Sequence, residues 1–202
     1  MNGDISKVWL VDKKTGGLVE ASLYDGITEA HLKDVEKSWM PKLRSELQRL
    51  RATGRPHPQS SHWNWRDKVE HMRGLLAYRG FAVVHEGHTQ GLMLVKTTHP
   101  CRLPIQRGKP LVYVDYLETA PWNQRELVMQ PQFGGIGLVM LAAAITLSRE
   151  EGFAGRIGLH SLPQAVKFYE NCGMTNLGSD PSKQGLPYFE MTPEQVAAFL
   201  EK

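Results

Sequence analysis

Between residues 132 and 137 the sequence reads Gln-Phe-Gly-Gly-Ile-Gly and runs straight into an apolar, helix-forming stretch from Leu138 to about Glu151. A glycine-rich turn that follows a strand and opens a helix is an anion site, because the first helical N–H groups lack partners and the helix dipole favours negative charge there. Gly134, Gly135 and Gly137 carry no Cβ, so their backbone can approach a pyrophosphate and adopt positive φ. Two familiar phosphate loops are excluded. The GxxxxGK[ST] pattern is missing, and Met140 stands where the third glycine of a dinucleotide-binding turn belongs.

Groups able to move a proton stand nearby in the sequence. Glu118 and Asp115 lie on a strand-like run, His160 ends another, and Tyr169 sits beside Phe168 in a helical stretch. Strand alternation puts Asp115 on the opposite face from Glu118, and the pKa of His160 suits a base. Cys172, three residues after Tyr169, reads as a packing residue at a helix end. His85 and His88 lack a third clustered ligand and read as polar hairpin residues, so no metal is predicted.

The elements that must position these groups follow from periodicity. Val8 to Val11 and Leu18 to Leu23 read as strands about the turn at Thr15-Gly16-Gly17. From Thr28 onward, Leu32, Val35, Trp39, Leu43, Leu47 and Leu50 fall on one helical face, with a break or kink where Pro41 cannot donate to the ladder. Ser60 to Arg66 (Ser-Ser-His-Trp-Asn-Trp-Arg) has an unusual composition with no role assigned by pattern, and Asp67 to Leu76 reads as a short helix. Residues 81–84 and 91–95 form a hairpin, and Leu111 to Thr119 is a long strand stopping at Ala120-Pro121. A polar connector leads to the glycine loop and its helix, which Gly152 closes. Then come a strand at 156–160, a helix from Pro163 to Cys172 opened by a capping-box spacing at Ser161 and Gln164, a strand at 186–191, and a helix capped by Thr192 and Gln195. This is an α/β or α+β domain around a mixed central sheet flanked by helices.

At 202 residues the chain is predicted to form one domain. No stretch approaches the ~20 apolar residues of a membrane span, and Met1 to Asp4 lacks the layout of a secretory leader. With only Cys101 and Cys172 and no CxxC pair, a soluble protein of a reducing cytoplasm is expected. The formal charge is +3, but residues 33–79 carry eleven Lys/Arg against five acids, an excess of six. Interspersed charges of this kind ordinarily clothe an exposed helix.

The spacing of several motifs together resembles the GNAT N-acetyltransferase superfamily. Its loop pattern, Gln/Arg-x-x-Gly-x-Gly/Ala, is met by Gln132, Gly135 and Gly137. The loop follows a strand with a proline-containing end (Leu117-Glu118-Thr119-Ala120-Pro121) and precedes a helix, a strand and a second helix bearing Ala165, Tyr169, Gly173 and Met174 in the family's Ala-x-x-x-Tyr-x-x-x-Gly-hydrophobe pattern. The likeness covers residues 81–191; residues 1–80 are a less typical, helical part of the same single domain. Two departures stand out: Leu162 replaces an asparagine that many relatives carry, and the connector from Trp122 to Pro131 is longer than the usual turn.

The resemblance implies an acyl-CoA-dependent N-acyltransferase using acetyl-CoA as co-substrate and no metal. Gln132, Phe133, Gly134, Gly135, Ile136 and Gly137 would hold the pyrophosphate, and Leu117 and Thr119 the pantetheine arm, where a strand N–H could stabilise an oxyanion. Tyr169 would protonate the departing thiolate, and Glu118 is the first choice of base, ahead of Asp115, His160 or water. The acceptor is an amine of unassigned class, and a homodimer is compatible with this reading. The competing reading is a nucleic-acid-binding protein on a degenerate acyltransferase fold, using residues 33–79 with Trp63 and Trp65 to hold phosphates and stack bases.

Overall fold

A computed structural model of the chain describes residues 5–201; the expectation placed on Met1 to Asp4 lies outside them. A nine-stranded mixed sheet runs in the order β6-β1-β2-β3-β4-β5-β7-β9-β8. Its strands, in chain order, are Ile5–Asp12 (β1), Leu18–Asp25 (β2), Tyr78–His85 (β3), His88–Pro100 (β4), Pro110–Thr119 (β5), Phe133–Gly134 (β6), Ile157–His160 (β7), Thr175–Asp180 (β8) and Leu186–Met191 (β9). The α-helices are Glu29–Asp34 (α1), Met40–Ala52 (α2), Trp65–Met72 (α3), Ile136–Glu150 (α4), Val166–Asn171 (α5) and Pro193–Leu200 (α6). The described residues divide into two compact units: 5–75, Arg79–Met93 and Leu117–Met140 form the first, and Leu76–Tyr78, Leu94–Tyr116 and 141–201 the second.

In the first unit β1 and β2 pair antiparallel from Ile5↔Tyr24 to Val11↔Leu18, and β2 continues onto β3 from Ser22↔Val84 to Asp25↔Phe81. Thr28 and His31 close a reciprocal capping box at the start of α1. The break expected at Pro41 takes a specific form: Val35–Trp39 is a π-helical turn, with Met40 N–H bonded to Val35 C=O, and Pro41 occupies the first turn of α2. Widening the turn by one residue removes the need for the N–H that proline lacks, and first-turn positions tolerate its absence. The indole of the buried Trp39 donates to Thr89 C=O at 2.8 Å, while Asp34 accepts from Thr89 N–H at 2.6 Å, which fixes the helix on the β3–β4 turn. Leu43 and Leu50 of α2 pack on Leu127 in a core of their own.

In the second unit β7 pairs parallel to β5 over Val112–Val114 and Ile157–Leu159, and antiparallel to β9 from Ile157↔Met191 to His160↔Tyr188. Cys101, Leu111, Tyr113 and Tyr188 form one hydrophobic cluster within it. The fully buried Glu190 accepts from Arg102 N–H, from Leu103 N–H at 3.0 Å and from Gln106 Nε2 at 3.0 Å, tying the segment between β4 and β5 to β9. Such a carboxylate is retained because it is multiply hydrogen-bonded.

Two local readings are corrected, and a third is upheld. The Ser161–Gln164 spacing forms no capping box: Ser161 Oγ donates to Leu162 C=O at 2.8 Å, Leu162 is the cap residue, and Pro163–Ala165 is a 3₁₀ turn ahead of α5. The second spacing does form one, with Thr192 N–H donating to Gln195 Oε1 at 2.9 Å and Gln195 N–H to Thr192 Oγ1 at 3.3 Å. The helix after the glycine loop starts at Ile136, inside the loop motif, rather than at Leu138.

Candidate functional site

Glu118 occupies the penultimate position of β5, and its carboxylate accepts from the indole N–H of Trp65 at 2.6 Å. Ser60 and Gln124 hydrogen-bond to it as well. Burial dominates its ionisation, pushing the carboxyl up to about 7, against which the bonds from Trp65, Ser60 and Gln124 and the charge of Lys68 act more weakly. A carboxylate poised near neutral pH is a competent base, whereas one at its ordinary value is too weak to take a proton from an amine efficiently. Ser60 to Arg66, to which the sequence alone gave no role, is therefore the cradle of this carboxylate: Ser60 from a 3₁₀ turn, Trp65 from the first position of α3, itself capped by Asn64.

This placement also bears on the nucleic-acid reading. Trp65 is only 3% exposed and spends its N–H on Glu118, so it is no platform for a base. Within the basic segment, Arg66 pairs with Glu29 and Glu36, and Lys42 and Arg49 both pair with Glu46.

Raised ionisation has a consequence for stability. Below about pH 4.5 Glu118 is protonated folded or unfolded; between there and about pH 7 the folded chain keeps a proton that the unfolded chain has lost. Stability from this group is therefore complete at acid pH and lost as pH rises through that window. Glu118→Gln keeps an acceptor for Trp65 without the charge. Its melting temperature relative to wild type should climb from pH 5 to pH 8; a difference independent of pH would show that the carboxyl is not perturbed.

The glycine loop is held by the long connector. Phe133–Gly134 pairs antiparallel with Val11–Asp12, Gln132 N–H donates to Trp122 C=O at 3.1 Å, and Phe133 N–H donates to Asn123 Oδ1 at 2.9 Å. Trp122 Nε1 and Asn123 Nδ2 in turn both donate to Gln90 Oε1, at 2.9 and 3.0 Å. Gln124 Nε2 reaches back to Thr119 C=O at 2.7 Å, so residues 122–124 brace both the end of β5 and the loop.

Of the three loop glycines only Gly135 has positive φ, at 90°; Gly134 is in extended pairing, where a Cβ would meet only the flexible end of the exposed Lys13 side chain. Gly137 lies in the first turn of α4. A fourth glycine went unnoticed in the sequence: a Cβ on Gly91 would stand 2.6 Å from Ile136 Cγ2, so Gly91 is what lets the buried Ile136 seat the start of the helix. Leu117, Glu118, Thr119 and the loop from Gln132 to Gly137 thus belong together in the first unit.

Tyr169, Asp115 and His160 belong to the second. Tyr169 is buried on α5 against Phe168 and Phe189, with ring centroids 5.1 and 5.8 Å away. Burial, with Cys172 adding to it, raises its phenol well above the usual range, so the hydroxyl is a donor at any physiological pH. His160 has both ring nitrogens engaged, Nδ1 with Tyr113 OH at 2.7 Å and Nε2 with Asp180 at 2.9 Å; burial lowers its pKa despite the carboxylate. Asp115 is half-buried on β5 and acts electrostatically on Tyr113.

No family model and no curated protein sequence matches the chain. Solved structures do. The GNAT domain of PAT from S. lividans aligns over 92% of this chain and 96% of its own at 14% identity and a TM-score of 0.53. The PaiA N-acetyltransferase of Thermoplasma acidophilum, in complex with coenzyme A, aligns over 86% and 99% at 10% identity and 0.57. A GNAT-family acetyltransferase from Listeria monocytogenes aligns over 92% and 99% at 15% identity and 0.56. The chain has the GNAT acetyltransferase fold. On that GNAT fold the glycine loop falls at the start of α4 and Tyr169 on the next helix along the chain.

Among the described residues no cluster of three or more His, Cys, Asp or Glu could hold a metal, and no helix is long and apolar enough to cross a membrane. His85 bonds Glu20 C=O through Nδ1 at 2.7 Å, and His88 stands 3.5 Å from Asp34. Both cysteines are buried.

Proposed function

We propose that the chain is an acyl-CoA-dependent N-acyltransferase that moves an acetyl group from acetyl-CoA to an amine. The observation that carries this reading is the Gln132–Gly137 loop, braced by Trp122 and Asn123 and opening the fifteen-residue α4, on a fold whose solved neighbours include an N-acetyltransferase in complex with coenzyme A.

The residues present fit that ligand. Gly135 takes a backbone conformation that a side chain would strain, and the N–H groups of Ile136, Gly137 and Leu138 lie at the first turn of α4, where helical N–H groups have no partner inside the helix. Gln132 to Gly137 would hold the pyrophosphate, and the backbone of Leu117 to Thr119 the pantetheine arm. Acetyl-CoA supplies an acyl group activated as a thioester. Glu118 takes the proton that the ammonium group of the acceptor must lose, directly or through water, and the carboxyl raised to about 7 supports that role over Asp115 and over His160, whose two nitrogens are engaged. Tyr169, always protonated, donates to the sulfur as the C–S bond breaks and regains its proton from solvent.

Acetyl-CoA at 100 times its dissociation constant should stabilise the fold by about 2.7 kcal/mol if it binds only the native state. Thermal melts with acetyl-CoA measure this directly. A melting temperature unmoved by millimolar ligand would remove the cofactor assignment.

A further inference from the structure

A groove of about 1160 Å³ opens in the first unit beside the turn between β1 and β2. Four cations from three separate stretches line it: Lys13 and Lys14 from that turn, Arg55 from beyond α2, and Arg125 from the connector. All four are exposed, and none forms an ion pair with a described residue. Two acids share the lining. Asp12 accepts from Lys14 N–H at 2.8 Å and Thr15 Oγ1 at 2.9 Å, and Glu86 stands 3.9 Å from His85 Nε2. Four positive charges less two negative leave +2, histidine not counted.

Unpaired cations gathered from distant parts of a chain repel one another, and a bound anion relieves that repulsion. The guanidinium groups of Arg55 and Arg125 present the planar forks suited to phosphate, which Lys13 and Lys14 complement as point charges. The remaining wall is in part apolar: Val19, Val128 and the ring of Phe133, which meets His85 edge-on at 4.9 Å. The volume lies slightly above the ~300–1,000 Å³ usual for a small-molecule site, leaving room for a ligand of that size. Of the residues assigned to coenzyme A, only Gln132 and Phe133 touch this groove; Leu117, Thr119, Ile136 and Gly137 do not.

We infer that the groove is a second anion site, one that holds a phosphorylated small molecule other than coenzyme A. Its separateness rests on the proposed function, in which coenzyme A occupies the glycine loop; its anion binding does not. Inorganic pyrophosphate serves as the probe, titrated calorimetrically into the protein alone and into protein saturated with coenzyme A. Pyrophosphate should bind in both cases. Lys14→Glu and Arg125→Glu should each weaken it at least about tenfold, leaving coenzyme A affinity and melting temperature unchanged. Arg55→Glu provides the same test should either variant fail to fold. Absence of pyrophosphate binding, its loss when coenzyme A saturates the protein, or indifference to the charge reversals would overturn the inference. A protein that binds pyrophosphate through these residues but never binds coenzyme A would keep the groove and lose the acyltransferase reading.

Discussion

Gly137→Asp should weaken coenzyme A binding about a thousandfold while leaving the chain folded. Position 137 lies in the first turn of α4, where a negative side chain is favourable to the helix, so the substitution should not cost stability through the dipole. Toward a bound pyrophosphate the same charge acts with the opposite sign. Two unit charges about 4 Å apart near a protein surface interact by roughly 4 kcal/mol, and each 1.4 kcal/mol is a factor of ten in affinity. Gly137 separates the two effects better than Gly135, whose φ of 90° would add backbone strain to any side chain placed there. Calorimetry with coenzyme A reads the affinity, and circular dichroism with a thermal melt reads the fold. Unchanged affinity in a folded variant would mean that the loop is only a tight entry to α4.

That loop was the most legible part of the site because its signal is local: glycine identity and spacing mark it in one short stretch. The same holds for β5, with its run of β-branched and aromatic residues, and for Pro41, whose missing N–H disturbs the helix wherever the chain goes next. What the sequence concealed is pairing between distant segments. Trp65 meets Glu118 across 53 positions, and nothing in either neighbourhood names the other; the odd composition of Ser60 to Arg66 was a signal without an address. Phe133–Gly134 joins Val11–Asp12 at the sheet edge as a two-residue strand, too short to leave a periodicity. β8 was missed for another reason. Asn176 to Ser179 are exposed, their register on β9 shifts between Asn176 and Ser179, and Gly178 takes positive φ, so no alternation of apolar and polar residues survives. Spacing can also mislead, as Ser161 and Gln164 do: Ser161 N–H is already given to Pro187 C=O, and its hydroxyl turns to Leu162.

Tyr169→Phe is the substitution that distinguishes a working enzyme from a binding module on the same fold. It removes one oxygen from a buried ring that packs on Phe168 and Phe189, so the apolar contacts survive and coenzyme A affinity should hold. Burial has raised the phenol further above a thiol of pKa about 8.5 than an exposed tyrosine would be. Complete proton transfer ahead of C–S cleavage is therefore unfavourable, and in the proposed reaction the hydroxyl would act by hydrogen bonding to the sulfur as negative charge develops there. The proton would move no earlier than the bond breaks. Catalysis of this kind is typically worth ~10²–10⁴-fold, so acetyl transfer should slow by that factor with little change in the apparent affinity for acetyl-CoA. The assay first requires an acceptor, found by screening amines for release of coenzyme A with the wild-type protein. A Tyr169→Phe variant that turns over at the wild-type rate would take Tyr169 out of the chemistry and leave solvent to protonate the thiolate.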